Sequence, residues 1–110
     1  RDHEPKLQLH RIAQEATRNA VNHGAPSRID IELVSEDGDV VLRVSDDGSG
    51  FEGLESLPKE ASFGLHSMQY RTHAIGAAFD LDTAPGRGTV VTCRLSRSHL
   101  PGPSTSSPEA

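Results

Sequence analysis

The stretch SDDGSGF (residues 45–51) directly follows the apolar run VVLRV (residues 40–44). A plain turn needs one glycine to reach a positive φ, whereas here Gly48 and Gly50 stand two apart behind a pair of acids. Strand alternation places Asp46 on the face that carries the apolar side chains. We therefore predict that one carboxylate turns toward the core, where it needs hydrogen-bond donors.

Length and composition bound both the fold and the partners. A chain of 110 residues suits one domain, and 34% hydrophobic with only 4% aromatic residues predicts an aliphatic core. The formal charge of −5 argues against nucleic-acid binding. No apolar run approaches the roughly 20 residues that span a bilayer, so we expect no membrane contact by this domain. The lone Cys93 fits a cytoplasmic location. The first residue is not Met, so we expect a domain excised from a longer protein, whether or not that parent is membrane-bound.

Hydrophobic periodicity predicts the order helix, hairpin, long loop, helix, hairpin. The first helix is predicted from about Lys6 to His23, and the second from about Gly64 to Ile75, each followed by a glycine stop. Strands are predicted around residues 28–34, 40–46, 79–81 and 89–95. Short turns between paired strands favour antiparallel pairing. The predicted fold class is therefore an α/β two-layer sandwich, with two helices on one face of a four-stranded sheet.

Two segments lack any period. Residues 51–63 combine charges, glycine and proline, and we predict a mobile loop that is long enough to be functional. The tail that ends in PGPSTSSPEA (residues 101–110) has the composition of a disordered segment. The predicted division is a folded domain over residues 1–96 and a disordered tail over residues 97–110.

Polar residues recur where the first helix borders its apolar arc. Glu15 and Asn19 share one stripe, and His23 falls beside the same border. Two interpretations stay open: an ordinary solvated helix face, or the lining of a cavity that faces Asp46. Thr89 also points inward at the start of the last strand, and it could simply satisfy Asp46 without any ligand.

The chemistry of these residues, taken together, suits a purine nucleotide with a divalent metal. Gly48 and Gly50 would let the backbone approach a flat ligand or let a loop hinge. Gly64, at the predicted start of the second helix, would expose free N–H groups to phosphate. Asp46 would accept from an exocyclic amine, and the amide oxygen of Asn19 would reach a hard cation.

Four motifs, in order along the chain, carry a family resemblance. RIAQEATRNAVNHG (residues 11–24) resembles the N box of the histidine-kinase and gyrase-type ATPase superfamily, SDDGSGF its G1 box, and SFGLHSM (residues 62–68) its G2 box. PGRGTVV (residues 85–91) is similar to the glycine-threonine strand start that closes the nucleotide pocket. The resemblance spans about residues 7–95.

A finer resemblance is to sensor kinases of the nitrate- and oxygen-sensing type. It rests on APSRI (residues 25–29), on GLxxMxxR in the second helix (residues 64–71) and on APGRGT (residues 84–89). Arg71 belongs to this pattern, although we expect it to be a structural pairing residue. Asn22 departs from the family, in which lysine is frequent, so one phosphate contact is in question.

The resemblance implies the Bergerat fold, a mixed and mostly antiparallel sheet under helices, with ATP between a helix and a lid at residues 51–63. Asp46 would bind the adenine amine with support from Thr89, Asn19 would coordinate Mg²⁺, and Glu15 would position or activate the attacking group. The other implied nucleotide contacts are His23, Gly48, Gly50, Gly64 and Leu65.

The implied function is that of the catalytic ATP-binding domain of a two-component sensor histidine kinase. It would bind Mg·ATP and pass the γ-phosphoryl group to a histidine on a dimerisation domain that this chain lacks, for relay to a response regulator. Two alternatives stay open: an anti-sigma-factor-type serine kinase of the same fold, and a non-catalytic interaction module that has kept the fold.

Overall fold

A computed structural model describes residues 4–52 and 57–96, which form two helices packed on one four-stranded sheet. The elements are α1 (Pro5–Asn19), a π-helical turn (Ala20–Gly24), β1 (Ile29–Glu36), β2 (Asp39–Asp46), α2 (Lys59–Ala74), β3 (Ala78–Ala84) and β4 (Gly88–Ser96). The predicted order of elements is confirmed. The predicted tail at residues 97–110 lies outside the described residues, so the predicted domain boundary stays a prediction.

The sheet brings the two predicted hairpins together through their second strands. Its order is β1-β2-β4-β3, and the three pairings are all antiparallel. The two-layer α/β sandwich is confirmed, whereas the parallel pairing implied by a mixed sheet does not occur among the described strands. Pairing of β2 with β4 sets Asp46 directly opposite Thr89, so these two predicted site residues meet at one end of the sheet.

The core lies between the helices and the central strands, and it is aliphatic as predicted. Ile12 of α1, Met68 of α2, and Cys93 and Leu95 of β4 are almost completely buried. Burying a side chain of this size stabilises the fold by about 1.5–3 kcal/mol. Burial also raises the pKa of the Cys93 thiol, so the thiolate does not form at neutral pH. No helix within residues 4–52 and 57–96 is long and apolar enough to cross a membrane.

The edge strand β1 shows what alternation alone does not predict. Ile31 and Leu33 pair with Val44 and Leu42, so they lie on the helix side of the sheet as predicted. They are nevertheless 55% and 62% exposed, because β1 lies at the edge of the sheet while its partner β2 carries the residues that join the core. Period-2 alternation thus identified the face of the sheet on which these side chains lie, but not whether other residues bury them.

The predicted start of the second helix is wrong. α2 begins at Lys59, directly after Pro58, so the final residues of the predicted 51–63 loop are helical. Pro58 fixes its own φ without requiring a hydrogen-bonded N–H, and Glu60 in the first turn suits the positive end of the helix dipole. Gly64 therefore lies in the second turn of α2, and its amide is not one of the free N–H groups at the helix start.

The polar pairing predicted for Arg71 is confirmed, since its Nη1 donates to Gln8 Oε1 at 3.0 Å and joins α2 to α1. The open face of the sheet carries a larger ionic network. Arg94 pairs with Glu36 at 3.0 Å and with Asp39 at 3.2 Å. Hydrogen bonds from Arg94 and then from Arg43 hold the pKa of Glu36 below its usual value.

The lowered pKa of Glu36 predicts a component of acid sensitivity. A lowered folded-state pKa stabilises the protein above the unfolded-state pKa, and this stabilisation is lost as the pH falls through the folded-state pKa. We expect Glu36→Gln to lose less unfolding free energy between pH 7 and pH 3 than the wild type, as measured by urea denaturation. Glu52→Gln, an exposed glutamate outside the network, serves as the control. Equal pH dependence in all three proteins would contradict this prediction.

Candidate nucleotide-binding site

A cavity lies between the helices and the sheet, and Asp46 contributes to its wall. Thr89, Asn19 and Leu65 also line it, so the structure brings these four predicted residues to one place. The rest of the wall is mostly apolar, and it includes Ala16, Val44, Met68, Leu81 and Val91. An apolar cavity with a few converging polar groups is the usual form of a small-molecule site. The inward direction predicted for Asp46 is thus confirmed.

The Asp46 carboxylate is held by its own loop. Its Oδ1 accepts the Gly48 N–H at 2.8 Å, and this is the only side-chain hydrogen bond of Asp46 within the described part of the chain. Oδ2 is therefore available to a donor on a ligand. A Cβ on Gly48 would lie 2.5 Å from Gly24 O and 2.9 Å from Asp46 Oδ1, so only glycine fits at this contact.

Asp46 and Thr89 do not satisfy each other, which was one alternative left by the sequence. Thr89 Oγ1 lies 3.0 Å from Thr83 Oγ1, while Asp46 is bonded to Gly48. Each group thus has a partner of its own, and both still line the cavity. No sequence motif includes Thr83, although its position six residues before Thr89 across a hairpin turn could have suggested the pairing.

Gly50 and Gly88 allow one backbone segment of the chain to approach another closely. Gly50 has φ +67°, and a Cβ there would overlap the Ala84 carbonyl oxygen. Gly88 has φ +80°, and a Cβ there would overlap the Asp46 carbonyl oxygen. At Gly48 and Gly50 the atoms that come close belong to the chain itself, so the close approach to a flat ligand stays a prediction.

Asp47 points away from the cavity, as the strand register predicted, and it has a role that the sequence did not reveal. Its Oδ1 accepts the N–H groups of Ser27 and Arg28 at 2.8 and 2.9 Å. Ser49 N donates to Gly24 O at 2.8 Å. These bonds fasten the end of β2 to the connection that follows α1, and so they fix the position of the neighbouring Asp46.

The polar stripe of α1 faces α2 across Gly64. A Cβ on Gly64 would overlap Glu15 Oε2, and it would lie 3.0 and 3.1 Å from Asn19 Nδ2 and Oδ1. Glu15 also pairs with Arg18 at 3.1 Å, but its side chain is only 18% exposed. The interpretation as a simple solvated face is therefore wrong for Glu15 and Asn19. Carboxylate and amide oxygens at one place fit the ligand preference of Mg²⁺.

His23 is not brought to this site by the contacts observed. It lies in the π-helical turn after Asn19, is half-buried, and does not line the cavity. Asn22, where the family often has lysine, is exposed. π-Helical turns widen the helix by one residue per turn and often occur at functional sites. The turn therefore shifts the residues after Asn19 away from the positions that a regular helix predicts.

A sequence model of histidine kinase-, DNA gyrase B- and HSP90-like ATPases matches residues 4–99. The chain belongs to this ATPase family. Among curated relatives, the sensor protein VraS of Staphylococcus aureus (strain COL) is 40% identical over 81 residues, which is 74% of this chain and 23% of VraS. The chain thus spans about a quarter of the length of this ATPase-family relative.

Solved structures show the same fold as this ATPase-family chain. The histidine kinase domain of the Erythrobacter litoralis EL346 blue-light activated histidine kinase superposes with a TM-score of 0.67 at 18% identity, covering 84% of this chain and 48% of that one. The Acinetobacter baumannii histidine kinase AdeS gives a TM-score of 0.67 at 16% identity, covering 82% of this chain and 46% of AdeS. At such low identity, these similarities establish the architecture alone.

Proposed function

We propose that the chain is the catalytic ATP-binding domain of a sensor histidine kinase. It binds Mg·ATP and transfers the γ-phosphoryl group to a histidine on a dimerisation domain, from which a response regulator is phosphorylated. The observation that carries this proposal is the inward carboxylate of Asp46 in an apolar cavity whose other polar side chains include Asn19. Membership of the ATPase family and the similarity to VraS support it. Because the reaction uses ATP, we place the domain in the cytoplasm.

The adenine end of the nucleotide belongs at Asp46. Oδ2 accepts from the exocyclic amine, while Oδ1 keeps its bond from Gly48. Thr89 accepts beside it, directly or through water. Apolar side chains such as Val44 and Met68 cover the faces of the base, which removes apolar area from water.

The phosphate end belongs at Glu15 and Asn19, where α1 faces Gly64 of α2. Asn19 would hold Mg²⁺ through its amide oxygen, and the ion supplies charge neutralisation for the transferred phosphoryl group. Glu15 would orient the attacking imidazole and accept its proton. The contacts implied for His23 and for the amide of Gly64 are not supported by the geometry, whereas those of Leu65 agree with its place in the cavity wall.

Calorimetric titration of the chain with ATP, with and without Mg²⁺, tests this function. We expect micromolar to millimolar binding that weakens when Mg²⁺ is removed. Transfer of labelled γ-phosphate to a histidine of the parent protein, stable to base and labile to acid, would identify the kinase class. Acid-stable phosphoserine on a partner would instead identify the serine-kinase alternative, and absence of nucleotide binding would identify the interaction module.

We also propose the nitrate- and oxygen-sensing subfamily, on the motifs APSRI and GLxxMxxR.

We propose that Phe63 contacts the dimerisation domain. Its side chain is 77% exposed, and it directly precedes Gly64, which faces Glu15 and Asn19. We expect Phe63→Ala to slow phosphoryl transfer by about 10-fold, because truncating an aromatic hot spot at an interface costs more than about 1 kcal/mol. The measurement is the transfer rate in the parent protein, alongside its affinity for Mg·ATP, which we expect to be unchanged.

Tyr70 provides a matched control for Phe63. It is 68% exposed on the same helix but lies two turns further from the phosphate end. We expect Tyr70→Ala to transfer at the wild-type rate. Equal losses of transfer rate in both variants would mean that the effect is not specific to Phe63.

A further inference from the structure

We propose that Thr83 is a positioning residue, whose hydroxyl couples the backbone of Phe51 to the adenine end of the cavity. Thr83 is in β3, outside every motif of the family resemblance, and it does not line the cavity itself. The inference rests on the proposed nucleotide site. It assigns part of the affinity of that site to a residue that acts through Phe51 and Thr89.

Three contacts converge on the hydroxyl of Thr83. Phe51 N donates to Thr83 Oγ1 at 3.0 Å. Thr83 Oγ1 lies 3.2 Å from Gly88 O and 3.0 Å from Thr89 Oγ1. Phe51 and Thr89 both line the cavity, so Thr83 joins two parts of its wall that are distant in sequence.

The hydrogen-bonding capacity of a hydroxyl determines the direction of these bonds. A threonine hydroxyl has one proton and two lone pairs. The Phe51 N–H and the Gly88 carbonyl each have one possible role, so Thr83 accepts from Phe51 and donates to Gly88. All three contacts are then satisfied together only when Thr89 donates to Thr83. The lone pairs of Thr89 are left for the cavity, where they accept from the ligand or from a bridging water.

The contact from Phe51 is a side-chain addition to a junction that is otherwise built from backbone. Gly86 N donates to Ser49 O at 2.7 Å, and Gly50 fits against the Ala84 carbonyl. These backbone contacts do not involve the Thr83 side chain. Replacing Thr83 by valine keeps the branched shape and the strand preference, and it removes only the hydroxyl. The junction should persist while Phe51 and Thr89 lose their fixed partner.

Thr83→Val, Thr83→Ser and Thr92→Val test the proposal. Thr92 is a matched control, since it lies in β4 opposite Asp80 and Arg43, on the sheet face away from the cavity. Two measurements apply to each protein: amide hydrogen exchange at Phe51 and at the core residue Val91 without ligand, and the dissociation constant of Mg·ATP by calorimetry. If T83V melts below the assay temperature, Thr83→Ala is the second variant without the hydroxyl.

We expect T83V to exchange the Phe51 amide about 5- to 10-fold faster relative to Val91, the effect of losing one ordinary hydrogen bond. We expect its dissociation constant to rise about 3- to 10-fold by the same reasoning. T83S should restore both quantities, and T92V should leave both unchanged. Unchanged affinity in T83V, failure of T83S to restore it, or a Phe51 exchange rate that rises only as much as that of Val91 would overturn the proposal.

The two measurements also separate this proposal from the proposed function. Hydrogen exchange requires no nucleotide, so it tests the contact between Thr83 and Phe51 in any case. A wild-type chain that binds no Mg·ATP overturns the proposed function and the claim about affinity together. If the wild-type chain binds Mg·ATP and T83V binds it with the same dissociation constant, only the role of Thr83 is overturned.

Discussion

Asp46→Asn is expected to weaken binding of Mg·ATP by about 10- to 150-fold, because a hydrogen bond to a charged group contributes about 1.5–3 kcal/mol. The amide retains one oxygen, which can still accept the Gly48 N–H that Asp46 Oδ1 accepts now. Its NH₂ group then meets the exocyclic amine of adenine, so donor faces donor. Calorimetric titration with Mg·ATP measures the loss, and thermal melting without ligand shows whether folding is affected.

The neighbouring acid supplies the control for Asp46. Like Asp46→Asn, Asp47→Asn removes one negative charge by replacing a carboxylate oxygen with an NH₂ group. The variant retains an oxygen for the N–H groups of Ser27 and Arg28. Because Asp47 is exposed and points away from the cavity, we expect its affinity for Mg·ATP to match that of the wild type. A D46N variant whose loss in stability without ligand equals its loss in binding energy would mean that Asp46 is structural only.

Gly64→Ala is expected to separate folding from catalysis. Alanine favours a helix over glycine by about 1 kcal/mol, and Gly64 has no positive φ that would strain it. The new methyl group would overlap Glu15 Oε2 and press on Asn19. Glu15 can swing away at little cost, because its carboxylate is the end of a flexible side chain. Folding should therefore persist while the two polar groups lose their positions.

The loss of phosphoryl transfer in G64A should be about 100-fold, the lower range for removal of a positioned acid or base. It is measured in the parent protein by transfer of labelled γ-phosphate, with the melting temperature of the chain recorded in parallel. Ser67→Ala, one turn further along α2, is the control. Transfer at the wild-type rate in G64A, with Mg·ATP affinity unchanged, would show that Glu15 and Asn19 do not act at Gly64.

Local sequence patterns predicted most of the fold. The 3.6-residue period of α1 and the alternation of β2 identified most of the core side chains, although Val41, on the opposite face of β2, is also completely buried. The inward direction of Asp46 followed from the same alternation, since a side chain two residues beyond Val44 shares its face. The helix start at Lys59 was missed because charged residues and Ser62 conceal the apolar period there, although Pro58 and Glu60 are typical of a helix start.

The elements, their order and the polar residues at core-facing positions could be predicted from the sequence, because each depends on neighbours along the chain. Tertiary packing alone brings distant groups together: Thr83 with Phe51 and Thr89, and Gly64 with Glu15 and Asn19. Such meetings depend on strand order and on how closely two backbones pack. Neither the strand order nor the packing distance between two backbones can be predicted from periodicity, since each is a property of the folded chain as a whole.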